Sequence, residues 1–259
     1  MQQSTLKKLS EVLGISISTV SRALKDHPDI AESTKKKVKE LAEALEYEPN
    51  TYAVQLRTRQ SNVLGIMVPN LDNFLYDSFI AAVEEEARLH GYSVMIMQSR
   101  DKVTEERSNL QLFRKNMIMG LFASISIETD DLAPFRKLEE MKTPVIFFDR
   151  VPEGADFNKV CLADEEAARI AAEAIIAKKK KNVLALFGHP HLSITRKRCE
   201  SFKSVFAKKA PDTRLTILYP ENIKESKKVV LELLESGERP DVIFGMGDLI
   251  LIGVMYAIH

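Results

Sequence analysis

The sequence predicts an α/β protein: a small all-helical front module followed by a doubly wound parallel α/β body of two subdomains. Three observations point there. In the first 45 residues apolar side chains recur at helical spacing in three stretches, with Gly14 at the first break. From Asn62 onward short apolar runs alternate with amphipathic stretches in βαβα order. The chain has 259 residues, of which 45% are hydrophobic, so it supports two or three packed units with cores of their own.

Leu6, Leu9, Ser10 and Leu13 make one buried stripe, which predicts a first helix ending near Leu13, and Gly14 gives the backbone freedom for a tight turn. Ser16 is a good N-cap for a second helix that turns Val20 and Leu24 inward and Ile17, Ser18, Ser21 and Arg22 outward. That outer face is small and polar with one arginine. It suits base edges: Arg22 can pair with guanine O6 and N7, and Ile17 can pack on a thymine methyl. The alternative is a generic helical hairpin with a solvated face. A third helix from about Glu32 to Leu45 carries Val38, Leu41, Ala42 and Leu45 at core spacing and closes the module. Pro49 then forces an extended turn, and Asn50 caps a helix through Gln55 too short to stand alone in water.

Formal net charge is zero, which argues against coating nucleic acid by charge alone. Lys7, Lys8, Arg22, Lys25, Lys35, Lys36, Lys37, Lys39, Arg57 and Arg59 nevertheless crowd the front. By itself Lys35 to Lys39 reads as readily as a solvated helix face, and its place beside a helix-turn-helix favours phosphate contact.

In the body, strands are expected at Val63 to Val68, Tyr92 to Met97, Leu121 to Ile125, Val145 to Phe148, Val160 to Leu162, Val183 to Phe187, Leu215 to Leu218 and Val242 to Met246. Helices fall between them, among them Phe74 to Leu89, Glu105 to Lys115, Glu165 to Ala177, Ile194 to Lys208 and Lys224 to Glu235. Folds of this kind bind ligands at the carboxyl ends of their strands. Those ends hold Leu71 to Tyr76, Ser99 to Asp101, Asp149 with Arg150, His189 to Arg198, and Gly247 with Asp248. Two acids and an arginine in one cleft suit the hydroxyls of a sugar-like ligand, since ionised groups make the stronger, orienting hydrogen bonds. Each alone also reads as a strand-end or helix-cap residue.

Other chemistry is weakly signalled. Cys161 and Cys199 are far apart, so neither a disulfide framework nor a zinc site is suggested, and a reducing cytosol fits. Lys7, Lys8 and Glu11 stand where a signal peptide needs an apolar run, and no eighteen-residue apolar stretch occurs, which argues against secretion and membrane spanning. His189-Pro190-His191 lacks helical spacing and an accompanying carboxylate, so it reads as a pocket-rim loop and not a metal site. Gly245-Met246-Gly247 lacks the third glycine of a nucleotide fingerprint, and no nucleophile has a base at a recognisable spacing. No cofactor is expected.

Ser16-Ile17-Ser18-Thr19-Val20-Ser21-Arg22, together with Tyr47-Glu48-Pro49-Asn50 and the hinge residue Leu56, resembles the LacI/GalR family of bacterial transcription regulators along essentially the whole chain. The resemblance implies a helix-turn-helix DNA-binding domain over 1–48, a hinge helix and linker over 49–61, and a periplasmic-binding-protein-like body with subdomains over 62–161 and 162–259. It implies DNA contacts from Thr5, Ser16, Ile17, Ser18, Thr19, Ser21, Arg22, Thr34, Asn50, Ala53, Leu56 and Arg57. Leu56 would enter between base pairs from the minor groove, with Ala53 beside it, a wedge that kinks the duplex. It implies effector contacts from Leu75, Tyr76, Ser99, Asp149, Arg150, Arg198 and Asp248, with a sugar or sugar derivative as effector. Double-stranded operator DNA is the expected partner, met by a homodimer or a tetramer in the cytoplasm at the nucleoid. Departures from the family pattern are Ser10 for Ala, Ala31 for a capping Ser, Ser201 for Gly, Gly247 for Asn, and Phe74-Leu75-Tyr76 for a Pro-aromatic-aromatic run. The family continues through further β/α units beyond His259, so the second subdomain is expected to be truncated and the chain by itself poorly soluble. A sugar-binding transport component and an enzyme on the same scaffold are the rival readings.

Overall fold

A computed structural model describes residues 6–47, 61–154 and 156–259, in two compact units, 1–60 and 61–259. In the first unit α1 (Leu6–Leu13), α2 (Ile17–Ala23) and α3 (Glu32–Ala44) enclose Leu9, Val20, Ala23, Val38 and Ala42. Gly14, at φ +65°, makes the left-handed step that ends α1, where a side chain would be strained. The Ser16 hydroxyl accepts from the Thr19 amide and so caps α2. Ala31 precedes α3 without any side-chain cap. The lysine run does not form one solvated face: Lys35 is buried against Glu32 at 2.6 Å, and Lys39 reaches Asp26 at 2.6 Å. Both sit where α3 packs or turns back toward acidic neighbours, so part of the run's charge is met within the unit.

The second unit alternates β1 (Val63–Val68), α4 (Phe74–Leu89), β2 (Ser93–Gln98), α5 (Val103–Lys115), β3 (Gly120–Ala123), α6 (Ala133–Glu140), β4 (Val145–Phe148) and β5 (Asn158–Val160). It continues with α7 (Asp164–Ala177), β6 (Asn182–Leu186), α8 (Ser193–Lys209), β7 (Arg214–Leu218), α9 (Ile223–Glu235), β8 (Val242–Gly245) and α10 (Asp248–Ile258). Two parallel sheets result, ordered β2-β1-β3-β4-β5 and β7-β6-β8. β1 and β6 are nearly pure apolar runs because both of their faces are covered. One face of the first sheet meets Phe113, Phe135 and Phe147, and the other meets Tyr76 and Phe148. In the second sheet Phe187, Phe202 and Phe206 fill one side, while Val230, Ile250 and Val254 fill the other.

Two departures from the sequence-based expectation stand out. Helix α6 was not anticipated; it is eight residues long with Pro134 in its first turn, where a missing N–H costs nothing. β5 ends at Val160 and not Leu162, because its partner β4 supplies only the register Ile146↔Asn158 to Phe148↔Val160, leaving both apolar side chains exposed. α10 crosses α9 so closely that a Cβ on Gly253 would overlap the Ile223 carbonyl oxygen and lie 2.5 Å from Ser226 Cβ. The outer side of α10 leaves Leu251, Met255, Tyr256 and Ile258 exposed.

Candidate functional site

On the front unit, α2 turns Ile17, Ser18 and Arg22 to solvent, with Thr19 and Ser21 half-buried beside them and Val20 in the core. The hydroxyls at its start are organised by one another: Ser16 Oγ lies 2.7 Å from Ser18 Oγ and 2.8 Å from Thr19 Oγ1. Arg22 sits in the last turn, where a cation meets the negative end of the helix dipole. Thr34 is half-buried in the first turn of α3. Thr5, Asn50, Ala53, Leu56 and Arg57 lie outside the described residues.

In the body, the strand ends bring four groups together around Asp149. The Asp149 backbone takes φ +56° at the end of β4, an uncommon conformation that Asp tolerates better than most residues. Its Oδ2 accepts a 2.7 Å hydrogen bond from the Tyr76 hydroxyl, whose oxygen lies 3.0 Å from Ser124 Oγ. Burial holds the Tyr76 phenol far above its usual pKa, so it stays protonated and donates to Asp149 while Ser124 donates to it. Tyr76 is fully buried with its ring edge-on to Phe148, so it orients Asp149 from beneath and does not present a stacking face. Burial pushes the Asp149 carboxyl up, while the Tyr76 hydrogen bond and the charges of Arg150 and Arg198 pull it back down. Arg198 Nε donates to Asp164 Oδ1 at 2.8 Å, and its Nη1 donates to the Met246 carbonyl at 2.9 Å. Arg150 Nη1 donates to Asp101 Oδ1 at 2.6 Å, and the same oxygen accepts the Ile127 amide. Leu75 is exposed, and Asp248 stands exposed in the first turn of α10. Ser99 is fully buried at the end of β2, with no hydrogen-bond partner for its Oγ among the described residues.

The sequence reading singled out neither Asp164 nor Glu106, and it left the partner of Asp101 unread. Asp164 is buried and fixes Arg198; as one of three acids in the first turn of α7 it carries no sign of that pairing in the sequence. Asp101 was seen as a strand-end acid, but its pairing with Arg150 spans 49 positions and leaves no periodic trace. Glu106, on α5, is buried and accepts the Ser126 amide at 3.0 Å and the Thr129 hydroxyl at 2.9 Å, tying down the loop after β3. Burial raises its pKa despite those bonds. The folded chain therefore binds this proton more tightly than the unfolded one, and stability falls as pH rises from the ordinary carboxylate range through the raised folded pKa. Glu106→Gln keeps an acceptor but removes the charge. Urea melts at intervals from about pH 4 to pH 7 are expected to show a shallower fall for the variant, part of the slope persisting through Asp149. Parallel curves would remove Glu106 as its source.

Beside the Asp149 cluster a cavity of about 240 Å³ opens between the loop after β3 and the start of α8, lined by Thr129, Asp130, Glu153, His191, Leu192 and Arg196 among others. Arg196 Nη2 pairs with Glu153 Oε2 at 2.7 Å across it, and Ser193 Oγ donates to the Val151 carbonyl. His189 Nε2 lies 3.4 Å from Glu221, and among the described residues no three His, Cys, Asp or Glu side chains are grouped to hold a metal ion. Among those residues, too, no helix is long and apolar enough to cross a membrane.

A three-helix unit with an exposed polar recognition face, joined to a two-sheet body with charged groups converging at its strand ends, defines a ligand-binding DNA regulator. Residues 5–50 match the family of bacterial regulatory proteins of the lacI type, and residues 64–259 match the periplasmic binding protein domain. The chain belongs to the LacI family of bacterial regulatory proteins, with a periplasmic-binding-protein-like body. It is similar to the ribose operon repressor of Bacillus subtilis, 27% identical over 98% of this chain and 76% of that one. It is similar also to the sucrose operon repressor of Streptococcus mutans, 28% identical over 96% of this chain and 75% of that one. The Cra regulator of Pseudomonas putida, solved in complex with fructose 1-phosphate, superposes with a TM-score of 0.71 at 25% identity, covering 76% of this chain and 73% of that one. The lac repressor dimer bound to operator and anti-inducer superposes with a TM-score of 0.84 over 99% of this chain and 78% of that one, a likeness of fold at 21% identity.

Proposed function

We propose that this chain is a cytoplasmic, sequence-specific repressor of transcription that binds operator DNA as a homodimer and is released or retained by a sugar-like effector. One observation carries the reading: a single chain of this family joins the exposed Ile17–Ser18–Arg22 face to the Asp149–Arg198–Arg150 cluster. Arg22, Ile17 and Ser18 read base edges, while Ser16, Thr19, Ser21 and Thr34 support or touch the backbone. Thr5, Asn50, Ala53, Leu56 and Arg57 complete the DNA contacts, with Leu56 as the minor-groove wedge. The working division is a DNA-binding domain over 1–48, a hinge over 49–61, and effector-binding subdomains over 62–161 and 162–259. The effector is held by Asp149, Arg150, Arg198, Asp248, Ser99 and Leu75, with Tyr76 fixing Asp149. Names of relatives as ribose and sucrose operon repressors support a carbohydrate. Membership of a family of transcription regulators supports reading the cluster as one that binds without turnover.

Two headpieces on one dimer address a pseudo-palindromic site. Effector binding and operator binding are linked, so an inducer must bind the DNA complex more weakly than the free protein, by the same factor that it weakens DNA binding. Selection of binding sites from random duplex DNA is expected to return a palindromic sequence. On that sequence Arg22→Ala should cost about 1–3 kcal/mol and relax one base position in each half-site. Unchanged affinity and sequence preference would take Arg22 out of the reading face, and recovery of no preferred sequence at all would overturn the regulator reading.

A further inference from the structure

Away from the strand-end cleft, a recess of about 250 Å³ opens at the amino ends of β6 and β7, beside the end of α9. It lies at the opposite end of the second sheet from Arg198, since Asn182 and Arg214 on its wall are the first residues of the two strands and pair in register. Its floor is apolar: Leu184 is buried, and Leu233 and Pro240 flank it. The volume falls just below the range of about 300–1,000 Å³ that takes drug-sized ligands, so the occupant is smaller than those. At the rim stand one guanidinium and one carboxylate, Arg214 Nη2 meeting Glu238 Oε1 at 2.5 Å. The other rim groups, Asn182, Thr216 and Ser236, are neutral. The loop that carries Glu238 is tied in place through its backbone, because Asn182 Nδ2 donates to the Arg239 carbonyl and Arg239 Nη1 to the Leu234 and Glu238 carbonyls. Three acceptors are left unspent among the described residues: Asn182 Oδ1, Thr216 Oγ1 and Glu238 Oε2.

We propose that this recess binds an aliphatic α-amino acid. Arg214 takes its carboxylate, Glu238 with the Asn182 and Thr216 oxygens takes its ammonium, and its side chain lies on Leu184 and Leu233. The rim decides the charge of the ligand. One cation and one anion sum to zero, which favours a zwitterion over a carboxylic acid or an amine that would leave one of the two unmatched. A guanidinium carries five N–H groups, so Arg214 keeps donors for a carboxylate even while Nη2 holds Glu238. Their pair is 63% and 36% exposed, and ion pairs so placed are worth little, so it parts readily for a ligand that matches both charges. The floor decides the side chain, because Leu184 and Leu233 reward apolar contact and would leave a polar group without a partner. The site is separate from the effector cleft, so its failure leaves the effector reading untouched.

The test uses thermal melting and calorimetry on the full 259-residue chain, with L-leucine, L-valine, isovalerate and isopentylamine as probes. L-leucine or L-valine should raise the melting temperature by mass action. Isovalerate and isopentylamine each lack one of the two charges and should bind at least about tenfold more weakly. Arg214→Gln and Glu238→Gln should each weaken the amino acid at least about tenfold, since each leaves one ligand charge without its partner. No shift with either amino acid at about 10 mM, well above a micromolar dissociation constant, overturns the proposal. So does a one-charge analogue bound as tightly as L-leucine, or amino-acid binding unchanged in both variants once circular dichroism shows them folded. The analogues need no variant, so they decide the question even where a substitution unfolds the chain.

Discussion

Arg198→Ala is expected to lower the unfolding free energy by about 3–5 kcal/mol, an effect as large as removing a big core side chain. The reason lies in what stays behind. Asp164 is only 5% exposed, and Arg198 Nε supplies the hydrogen bond to its Oδ1 at 2.8 Å. Truncating the arginine strands a charge that was taken out of water, and it also leaves the Met246 carbonyl without its donor. A purely electrostatic role for Arg198 at the ligand would cost affinity and little stability. Urea denaturation separates the two, because the double variant Arg198→Ala/Asp164→Asn removes the stranded charge and should recover a substantial part of the loss. A single variant within about 1 kcal/mol of the parent, or a double variant no better than the single, would show that the pair is not a buried brace.

Gly253→Ala should be the next most damaging change, at about 3 kcal/mol, the upper end of the range for overpacking. A Cβ at this position does not meet a pliable side-chain tip. It meets the Ile223 carbonyl and Ser226 Cβ, both fixed in the first turn of α9, so relief requires α10 to move away from α9 as a body. That movement would open the cluster of Leu186, Val230, Ile250 and Val254 beneath the second sheet. The opposite outcome, an unchanged denaturation midpoint for Gly253→Ala, would mean that the two helices are not held at the spacing described here. Gly237 provides the control: it sits at φ +87°, and nothing lies within 4 Å of its Cβ position, so Ala there acts only through backbone strain.

Period and punctuation made much of this fold legible. β1, β4 and α4 begin and end where alternation, helical spacing and turn residues place them, since each is bounded by a clear change of pattern. The limits appear where burial and apolarity part company. Val160 and Leu162 look like a strand core and are exposed, because β5 lies at the edge of its sheet. Lys35 and Glu106 look like surface residues and are buried, because each has its partners at hand: Glu32 for the lysine, and the Ser126 amide with Thr129 for the acid. The candidate cleft divides in the same way. Strand ends pointed to Asp149, Arg150 and Arg198 as residues of interest, but the partners that set their chemistry come from other elements. Tyr76 was expected to pack on the ligand; its burial was not readable, since an aromatic in the first turn of an amphipathic helix has equal licence to face either way.

The left-handed backbone of Asp149 limits how this protein can diverge. At φ +56° a β-branched residue is strongly disfavoured and most others pay in strain, while Asn and Gly fit with little distortion. A change of effector specificity, whether by drift or in a laboratory library, therefore has few single-step routes through this position. Leu75 and Asp248, exposed within ordinary helical turns, have no such restriction, and new specificities should accumulate there first.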